Sequence, residues 1–190
     1  MNKSRRLPLR FYRRNTLEVA RDLLGRSLCR RVATGRVLRG RIVEVEAYDG
    51  PNDRASHAHC GPTRRNAPMF AAGGIAYVYR IYGVHHCFNV VTGRCGYPAA
   101  VLIRATEPPG ADLVASGPGR LCRAYAIGAQ QDGCSLAGRE LWIEEGRPLA
   151  ERAVRRTPRI GVSYAGPWAR RAYRLVVRDD PAASGPRRLR

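Results

Sequence analysis

Two glutamates alternate with apolar residues in the segment 41–48, which reads Arg-Ile-Val-Glu-Val-Glu-Ala-Tyr. The β-branched residues predict a central strand, and its period of two puts Glu44 and Glu46 on one face. A buried carboxylate is costly unless it is paired with a cation or used in chemistry. These carboxylates are therefore candidates for a general base or a nucleophile on a rigid strand, and an ion pair with an arginine is the structural alternative.

A long loop follows this strand and supplies further candidates. Residues 48–68 are rich in Gly, Pro, Asn and Asp, and they include Tyr48 and His57. A loop of this length inside a compact domain is usually functional. The two rings could line a pocket for a flat ligand, although a histidine in a loop is more often simply solvated.

A second strand carries a series of tyrosines. Residues 75–82 place Tyr77 and Tyr79 on one face, and Tyr82 comes at the strand end before Gly83. Nucleic-acid-binding proteins use such rings to stack on bases, and cross-strand packing is the structural alternative. A ring at a strand–turn corner can also protrude as a wedge between base steps.

Two groups of histidine and cysteine invite comparison with zinc sites. They are His57-Ala58-His59-Cys60 and His85-His86-Cys87. Their spacing fits no standard finger, and neighbours on a strand point to opposite faces, so we expect no metal and no other cofactor. The six cysteines include no Cys-x-x-Cys pair, which predicts reduced thiols in the cytoplasm.

The balance of charge is strongly basic. The chain has 190 residues, with 34 Lys+Arg against 15 Asp+Glu, a formal net charge of +19 and a pI near 11.0. Such an excess favours a polyanionic partner, nucleic acid by default. Lys3 is the single lysine, and a GC-rich genome would explain the arginine bias without any mechanism.

The elements that must position these residues follow from the hydrophobic pattern. We predict helices at residues 16–24, capped by Thr16, and 120–127, capped by Ser116. The predicted strands are residues 27–33, 37–47, 75–82, 86–91, 99–106, 141–144, 160–164 and 173–177. Irregular mixing of strands and helices predicts a single α+β domain over residues 1–190, with a curved, mostly antiparallel sheet and flanking helices. A basic arm of about residues 1–14 precedes this body and a basic tail of about residues 181–190 follows it.

The sequence contains neither a membrane span nor a secretion signal. No run of 18 apolar residues occurs. Ser4-Arg5-Arg6 looks superficially like a twin-arginine signal, but no apolar segment follows it. We therefore expect a cytoplasmic, nucleoid-associated protein that is not secreted and has no membrane partner.

In these motifs the chain resembles the alkyladenine (3-methyladenine) DNA glycosylase family, of the human alkyladenine glycosylase type. The resemblance covers roughly residues 8–178. Its motifs are Glu46-Ala47-Tyr48, Gly50-Pro51 with Asp53, His57, Arg65-Asn66 with Met69-Phe70, Tyr77-Val78-Tyr79, Ile81-Tyr82-Gly83, Cys87 to Asn89, Arg104-Ala105 with Glu107-Pro108, Ser116-Gly117-Pro118 with Leu121-Cys122, Arg159-Ile160-Gly161-Val162, and Trp168. Such a long ordered series does not arise by chance.

The resemblance implies a role for each matching residue. Glu46 would activate a water that attacks C1′ of the sugar, and Arg104 would position that water, together with the Val162 carbonyl. Three further implied groups are the rings that hold an extruded base (Tyr48, His57 and Tyr79), the pocket residue that discriminates against the 2-amino group of guanine (Asn89), and the residues that enter the minor groove (Tyr82 as wedge, with Val84 and His85 beside it). Arg64, Arg65 and Arg80 flank these motifs and would contact phosphates.

The implied activity is base excision from double-stranded DNA that contains damaged purines, by a monomer without lyase activity. Residues 109–115 are a departure, because family members generally carry a longer basic segment there. Two other function classes remain to be weighed: a non-catalytic basic nucleic-acid-binding protein and a zinc-dependent nuclease or regulator. A carboxylate such as Glu46, facing an anionic partner beside Arg104, favours the enzyme over the binder.

Overall fold

The computed structural model describes residues 6–185. Over this part of the chain the helices are α1 (Leu9–Tyr12), α2 (Thr16–Leu23) and α3 (Pro118–Ala124). The strands are β1 (Ser27–Arg31), β2 (Val37–Asp49), β3 (Ala76–Ile81), β4 (His85–Val91), β5 (Ala99–Thr106), β6 (Leu141–Glu144), β7 (Val154–Thr157) and β8 (Arg174–Val177). Short 3₁₀ helices cover His57–Cys60, Ala67–Phe70, Ala129–Gln131, Glu151–Ala153 and Ser163–Arg170. Within residues 6–185, none of the helices is both long and apolar enough to cross a bilayer.

The strands form one curled antiparallel sheet in the order β3-β4-β5-β2-β1-β6, and β8 pairs with both β2 and β7. Helix α2 packs against β2 and β5, and α3 packs against β4 and β5. The buried apolar core lies between these helices and the sheet. This architecture confirms the predicted α+β class with a curved, mostly antiparallel sheet and flanking helices.

Strand β2 is the central element, because it pairs with β1, β5 and β8. Residues 44–46 pair with β5 and also with β8, so this part of the strand is flanked on both edges. The pairing with β5 shifts register on either side of Glu44. Such irregularities bend a strand and redirect its side chains. Glu44 and Glu46 are both fully buried at this position.

The prediction that Thr16 caps α2 is wrong. The side chain of Asn15 accepts hydrogen bonds from the backbone N–H groups of Leu17 and Glu18. Thr16 is instead the first helical residue, and its buried hydroxyl donates to Asp49 at 2.9 Å. Asparagine and threonine are both good caps, so sequence could not separate two adjacent candidates.

The predicted start and cap of α3 are also wrong. The helix begins at Pro118, whose fixed φ suits a first turn, and Gly117 precedes it with φ 107°. The hydroxyl of Ser116 points elsewhere and donates to the Ala183 carbonyl at 3.3 Å. The Ser116 hydroxyl therefore binds the C-terminal part of the chain and does not cap α3, as the sequence had suggested.

The strand predicted at residues 160–164 is not formed. Gly161 has φ 77°, which no extended strand allows, and a 3₁₀ helix begins at Ser163. The alternation of Ile160, Val162 and Tyr164 imitates the period of a strand without being one. Strand β7, which sequence did not predict, pairs with β8 instead.

The described part of the predicted basic arm packs on the body of the protein. Leu7 and Tyr12 are buried, and Arg6 lies over the Trp142 ring, 4.7 Å from its centroid. The rest of the predicted arm, residues 1–5, and the end of the predicted tail, residues 186–190, lie outside the described residues.

Candidate active site

A cleft of about 210 Å³ lies beside β2 and is bordered by the β3–β4 hairpin and by residues 160–164. Its volume is smaller than the roughly 300–1,000 Å³ of pockets for larger ligands, so it suits a single ring system. Eight residues that the sequence singled out line it: Glu46, Tyr48, His57, Tyr79, Tyr82, Asn89, Arg104 and Val162. Four strands and three connecting segments thus converge on one cavity.

Glu46 is held by three groups from different parts of the chain. Its Oε1 accepts a hydrogen bond from the backbone N–H of Ile160 at 2.8 Å. Its Oε2 accepts one from the hydroxyl of Tyr48 at 3.0 Å. Nη1 of Arg104 lies 3.3 Å from Oε1. These contacts fix the carboxylate at the wall of the cleft with its charge partly balanced by one guanidinium.

Glu44 sits on the same face of β2 but has a different environment. It accepts from Nε of Arg174 at 2.7 Å, from Nε of Arg104 at 2.8 Å and from the backbone N–H of Ser184 at 2.6 Å. Burial alone would raise the pKa of Glu44, but the two arginine charges and the Ser184 hydrogen bonds outweigh it and lower that pKa. An ion pair with arginine, the structural alternative to a functional role, therefore accounts fully for the burial of Glu44. It accounts only in part for Glu46, which has a single arginine at 3.3 Å.

The aromatic wall of the cleft is built around His57. Its Nδ1 lies 3.0 Å from the Tyr77 hydroxyl, and its ring meets the Tyr79 ring nearly edge-on at 4.5 Å between centroids. Burial and the charge of Arg65 lower the pKa of His57, so the ring is neutral near pH 7. Arg65 also lies over the Tyr79 ring at 5.3 Å. His57 and Tyr79 thus form one packed aromatic surface.

Tyr48, on the opposite side of Glu46, rests on a buried ion pair. Arg159 forms a two-pronged salt bridge with Asp53, at 2.5 and 2.8 Å, and its guanidinium lies 4.8 Å from the Tyr48 ring centroid. Burial and the Glu46 charge raise the pKa of Tyr48 well above its ordinary value, so its hydroxyl keeps the proton that it donates. Both Asp53 and Arg159 stand in the quoted motifs, but sequence assigned neither a role.

Asn89 and Val162 line the cavity, and each has a polar group that is already hydrogen-bonded to the backbone. The side-chain amide of Asn89 donates to the Tyr77 carbonyl at 3.1 Å, which fixes its orientation in the buried wall. The Val162 carbonyl accepts from the N–H of Ala165 at 3.0 Å, as the 3₁₀ turn that follows requires. Nε and Nη2 of Arg104 donate to Glu44 and to Ser184, not to Val162.

The β3–β4 hairpin carries the other predicted residues at its tip. Tyr82 has φ 50° and Gly83 has φ 70°, and the N–H of Val84 donates to the Ile81 carbonyl at 3.2 Å. Tyr82 is 90% exposed and Val84 70% exposed, which is exceptional for large apolar side chains. His85 is exposed at the start of β4, beside Gly119 of α3. The tip therefore presents an apolar ridge next to the cleft.

Among residues 6–185, no three His, Cys, Asp or Glu side chains converge in a group that could hold a metal ion. The His57 ring is turned to Tyr77, and Nδ1 of His59 lies 3.2 Å from the Pro51 carbonyl. The sequence motifs that suggested zinc thus do not assemble a ligand set in the described part of the chain.

A comparison with family models matches residues 10–181 to the methylpurine-DNA glycosylase family. The chain belongs to this family. It is accordingly an enzyme, a DNA glycosylase of DNA repair. The match spans the cleft, the aromatic wall and the hairpin tip, and it ends before the segment that carries Ser184.

Individual relatives of this glycosylase agree with the family assignment. A protein of Anaeromyxobacter sp. (strain Fw109-5) is 52% identical, over 94% of this chain and 92% of the relative. One from Herpetosiphon aurantiacus is 47% identical, over 97% and 91%, and one from Methanocella arvoryzae is 49% identical, over 94% and 95%. All three carry the provisional name 3-methyladenine DNA glycosylase.

Several residues of the glycosylase site escaped sequence reasoning. Tyr164 lines the cleft and is 71% exposed, and its hydroxyl donates to the Ala55 carbonyl at 3.2 Å. Arg174 is fully buried against Glu44. The N–H groups of Ile160 and Ser184 hold the two carboxylates, yet any residue other than proline supplies an N–H, so no sequence signal marks them.

Proposed function

We propose that this glycosylase extracts an alkylated or deaminated purine from duplex DNA and hydrolyses its N-glycosidic bond with a water activated by Glu46. The class of base is that of 3-methyladenine, hypoxanthine and ethenoadenine. The observation that carries the proposal is the position of Glu46, a carboxylate oriented by three donors at the wall of a cavity sized for one base. Its neighbour Glu44 is already saturated by two arginines and an N–H.

The proposed reaction uses the carboxylate twice. As the bond between C1′ and the base nitrogen breaks, the bonding electrons leave with the base and the sugar gains oxocarbenium character. The negative charge of Glu46 stabilises that cation, and its oxygen takes the proton of the attacking water. A base alkylated at a ring nitrogen is already cationic and leaves neutral, so it needs the least assistance.

The proposed pocket selects by shape and charge. Tyr48 on one side and His57 with Tyr79 on the other offer ring faces and edges to a flat base, and ring faces favour electron-poor or cationic partners. A neutral His57 adds no repulsive charge to a cationic base. Asn89, fixed by its hydrogen bond to Tyr77, is proposed to exclude the 2-amino group of guanine.

Tyr82 is the proposed wedge that fills the gap left by the extruded nucleotide. Its exposure and its position beside the cleft support this role. Val84 and His85 would lie in the minor groove next to it. The flanking residues Arg64, Arg65 and Arg80 would contact the phosphates of the same duplex.

We infer that the enzyme releases the base without cutting the strand. A β-lyase step requires an amine that forms a Schiff base at C1′. Lys3 is the single lysine of the sequence, and no motif of the cleft contains a lysine. We further propose that the protein works as a monomer on chromosomal DNA.

The proposed function is tested by base release under single-turnover conditions, with duplexes that carry hypoxanthine, ethenoadenine or 3-methyladenine. We expect the wild-type chain to release the base and Glu46→Gln to lose most of this activity while its affinity for the duplex is kept. Glu151→Gln, at an exposed carboxylate remote from the cleft, is the matched control. Full activity of Glu46→Gln would refute the assignment of the base, and binding without excision by the wild type would favour the non-catalytic binder.

A further inference from the structure

The chain folds back over the cluster of Glu44 and the two arginines after β8 ends at Val177. Asp180 accepts from Nη2 of Arg41 at 2.8 Å, and the Ala183 carbonyl accepts from Ser116 at 3.3 Å. Ala183 is fully buried and Ser184 is 4% exposed. Sequence assigned this stretch to a basic tail, and the family match ends at residue 181. Two residues of this segment, Ala183 and Ser184, are nevertheless buried in the body of the protein.

Ser184 touches every member of this charged cluster. Its backbone N–H donates to Oε2 of Glu44 at 2.6 Å, its carbonyl accepts from Nη2 of Arg174 at 3.1 Å, and its hydroxyl accepts from Nη2 of Arg104 at 3.3 Å. Together these contacts supply one hydrogen bond to the buried carboxylate and one to each of the two buried guanidinium groups. Buried polar groups of this kind fix one arrangement when all of them are satisfied.

Arg104 is the link between this cluster and the reacting carboxylate. Its Nε is bonded to Glu44, its Nη2 to Ser184, and its Nη1 lies 3.3 Å from Glu46. A guanidinium is planar, so fixing two of its nitrogens fixes the direction of the third. The contact with Glu46, like the one with Ser184, is 3.3 Å long, against 2.8 Å for the hydrogen bond to Glu44. A loss of the Ser184 contact therefore leaves Nη1 held against Glu46 by the Glu44 bond alone.

We propose that residues 182–185 form a positioning segment for catalysis, in which Ser184 holds Glu44 and Arg104 so that the guanidinium stays against Glu46. The proposal rests on the glycosylase function proposed above. The family match ends at residue 181, so the role proposed for residues 182–185 is argued from the contacts of this chain alone. Ser184 contacts neither the cleft nor the reacting atoms, and it acts through Arg104.

The sequence offers a matched pair of truncations that separates positioning from charge. Residues 186–190 contain three arginines, and residues 182–185, Ala-Ala-Ser-Gly, carry no charge. A chain ending at residue 185 and a chain ending at residue 181 therefore have the same side-chain charges. The chain that ends at residue 185 supplies the reference rate, and the difference between the two measures the positioning segment alone.

The experiment compares single-turnover base release at saturating enzyme, DNA affinity, and circular dichroism for the full chain and both truncations. We expect the chain ending at residue 181 to be slower than the reference by about 10- to 100-fold, the effect of losing hydrogen bonds to buried charged groups. DNA affinity is expected to be equal for the two truncations. Equal rates would overturn the proposal, and so would a loss of rate that a matching loss of affinity explains.

A point substitution decides the matter if the longer truncation does not fold. In the full chain, Ser184→Ala should slow base release by about three- to tenfold with unchanged affinity, and Ser184→Thr, which keeps the hydroxyl, should restore it. Wild-type rates in Ser184→Ala would then overturn the proposal. An inactive full chain would instead overturn the glycosylase function and this inference with it, whereas an active full chain with equal truncations overturns the inference alone.

Discussion

At the hairpin tip, Tyr82 combines a left-handed backbone with a side chain that is almost wholly exposed. A bulky residue at φ 50° is strained by roughly 1–3 kcal/mol, and an exposed ring does not recover this through packing. Residues held in strained conformations at exposed positions indicate that function, not stability, maintains them. Asparagine and glycine are the residues that such a turn ordinarily favours.

Replacing Tyr82 should therefore separate stability from activity. We expect Tyr82→Asn to unfold at the same temperature or up to about 4 °C higher than the wild type, since about 1 kcal/mol shifts Tm by roughly 2–4 °C in a protein of this size. Base release should fall at least tenfold as the wedge is lost. Thermal unfolding and single-turnover release measure the two effects. A destabilised variant would contradict the strain argument, and an active one the wedge.

His57 makes a second prediction at the scale of one residue. Burial and Arg65 lower its pKa below the ordinary value of 6.5. The unfolded chain thus binds a proton at a pH where folded His57 does not, so the free energy of unfolding falls as pH drops through about 6.5. We expect His57→Gln to lose less stability than the wild type between about pH 7.5 and about pH 5, measured by urea denaturation.

The control for this pH effect is a substitution at a side chain that does not titrate. Asn52→Gln, at an exposed position of the same loop, should keep the wild-type dependence of stability on pH over the same range. Glu44, whose pKa is lowered, contributes its own loss of stability below its ordinary value of 4.5, so the measurement stays above that pH. Identical pH dependence in His57→Gln and the wild type would show that the surroundings of the ring do not lower the pKa of His57.

Among the elements, the strands of the site were predictable from residue pattern and the connecting segments were not. The alternation in residues 41–48 located β2, and the tyrosine series located β3. Successive side chains of a strand point to opposite faces, so the pattern is visible in the sequence itself. The same reasoning failed at Ile160 and Gly161, where apolar alternation coincides with a turn of φ 77°. Periodicity reports side-chain spacing and carries no information on which backbone groups are already bonded.

The candidate site shows the same division. Side-chain types and spacing led to the rings of Tyr48, His57 and Tyr79 and to a pair of glutamates, of which the resemblance selected Glu46. The structure brings Glu46 and the three rings to one cavity. The N–H of Ile160 was beyond sequence reasoning, because its contact with Glu46 joins positions 114 residues apart through the backbone. Ile160 follows β7, which pairs with β8, and β8 in turn pairs with β2. The sequence does not encode this pairing locally.

The element that carries Tyr48 depends on one buried ion pair. Asp53 and Arg159 are both buried, and Arg159 also donates to the Ala47 carbonyl at 2.8 Å. Removing one partner leaves an uncompensated buried charge, which costs about 3–5 kcal/mol. We therefore expect Asp53→Ala to lower Tm by roughly 6–20 °C, measured by calorimetry. Glu151→Ala, at an exposed ion pair with Arg21, is the control and should change Tm little; a similar loss in both variants would contradict the anchoring role.

For the whole molecule, the excess of 19 positive charges is spread unevenly. Some arginines form ion pairs with Glu44, Asp53 and Glu144, and these arginines stabilise the fold. Much of the remaining charge is on arginines with no acidic neighbour close in sequence, including the three within residues 186–190. Such charges are the natural source of non-specific affinity for DNA.

Removing residues 186–190 should therefore weaken the salt dependence of DNA binding. Each phosphate contact contributes about 0.9 to the slope of log affinity against log salt, so three lost contacts reduce its magnitude by up to about 2.7. A triple substitution of Arg187, Arg188 and Arg190 to Gln should reproduce the change, since charge alone is responsible. Fluorescence anisotropy with undamaged duplex measures the slope. An unchanged slope would show that the non-specific affinity for DNA comes from other arginines.

The hydroxyl of Tyr48 joins two tasks in one side chain, because the ring walls the cavity while its oxygen holds Glu46. Breadth of substrate range and catalytic power are therefore not independently adjustable at this position. Enlarging the cavity there for a bulkier lesion would slow the excision of every base at once. His57 and Tyr79 make no hydrogen bond to Glu46 in the described structure. If the proposed function holds, these are the positions where selection or engineering can change the range of lesions without disturbing Glu46.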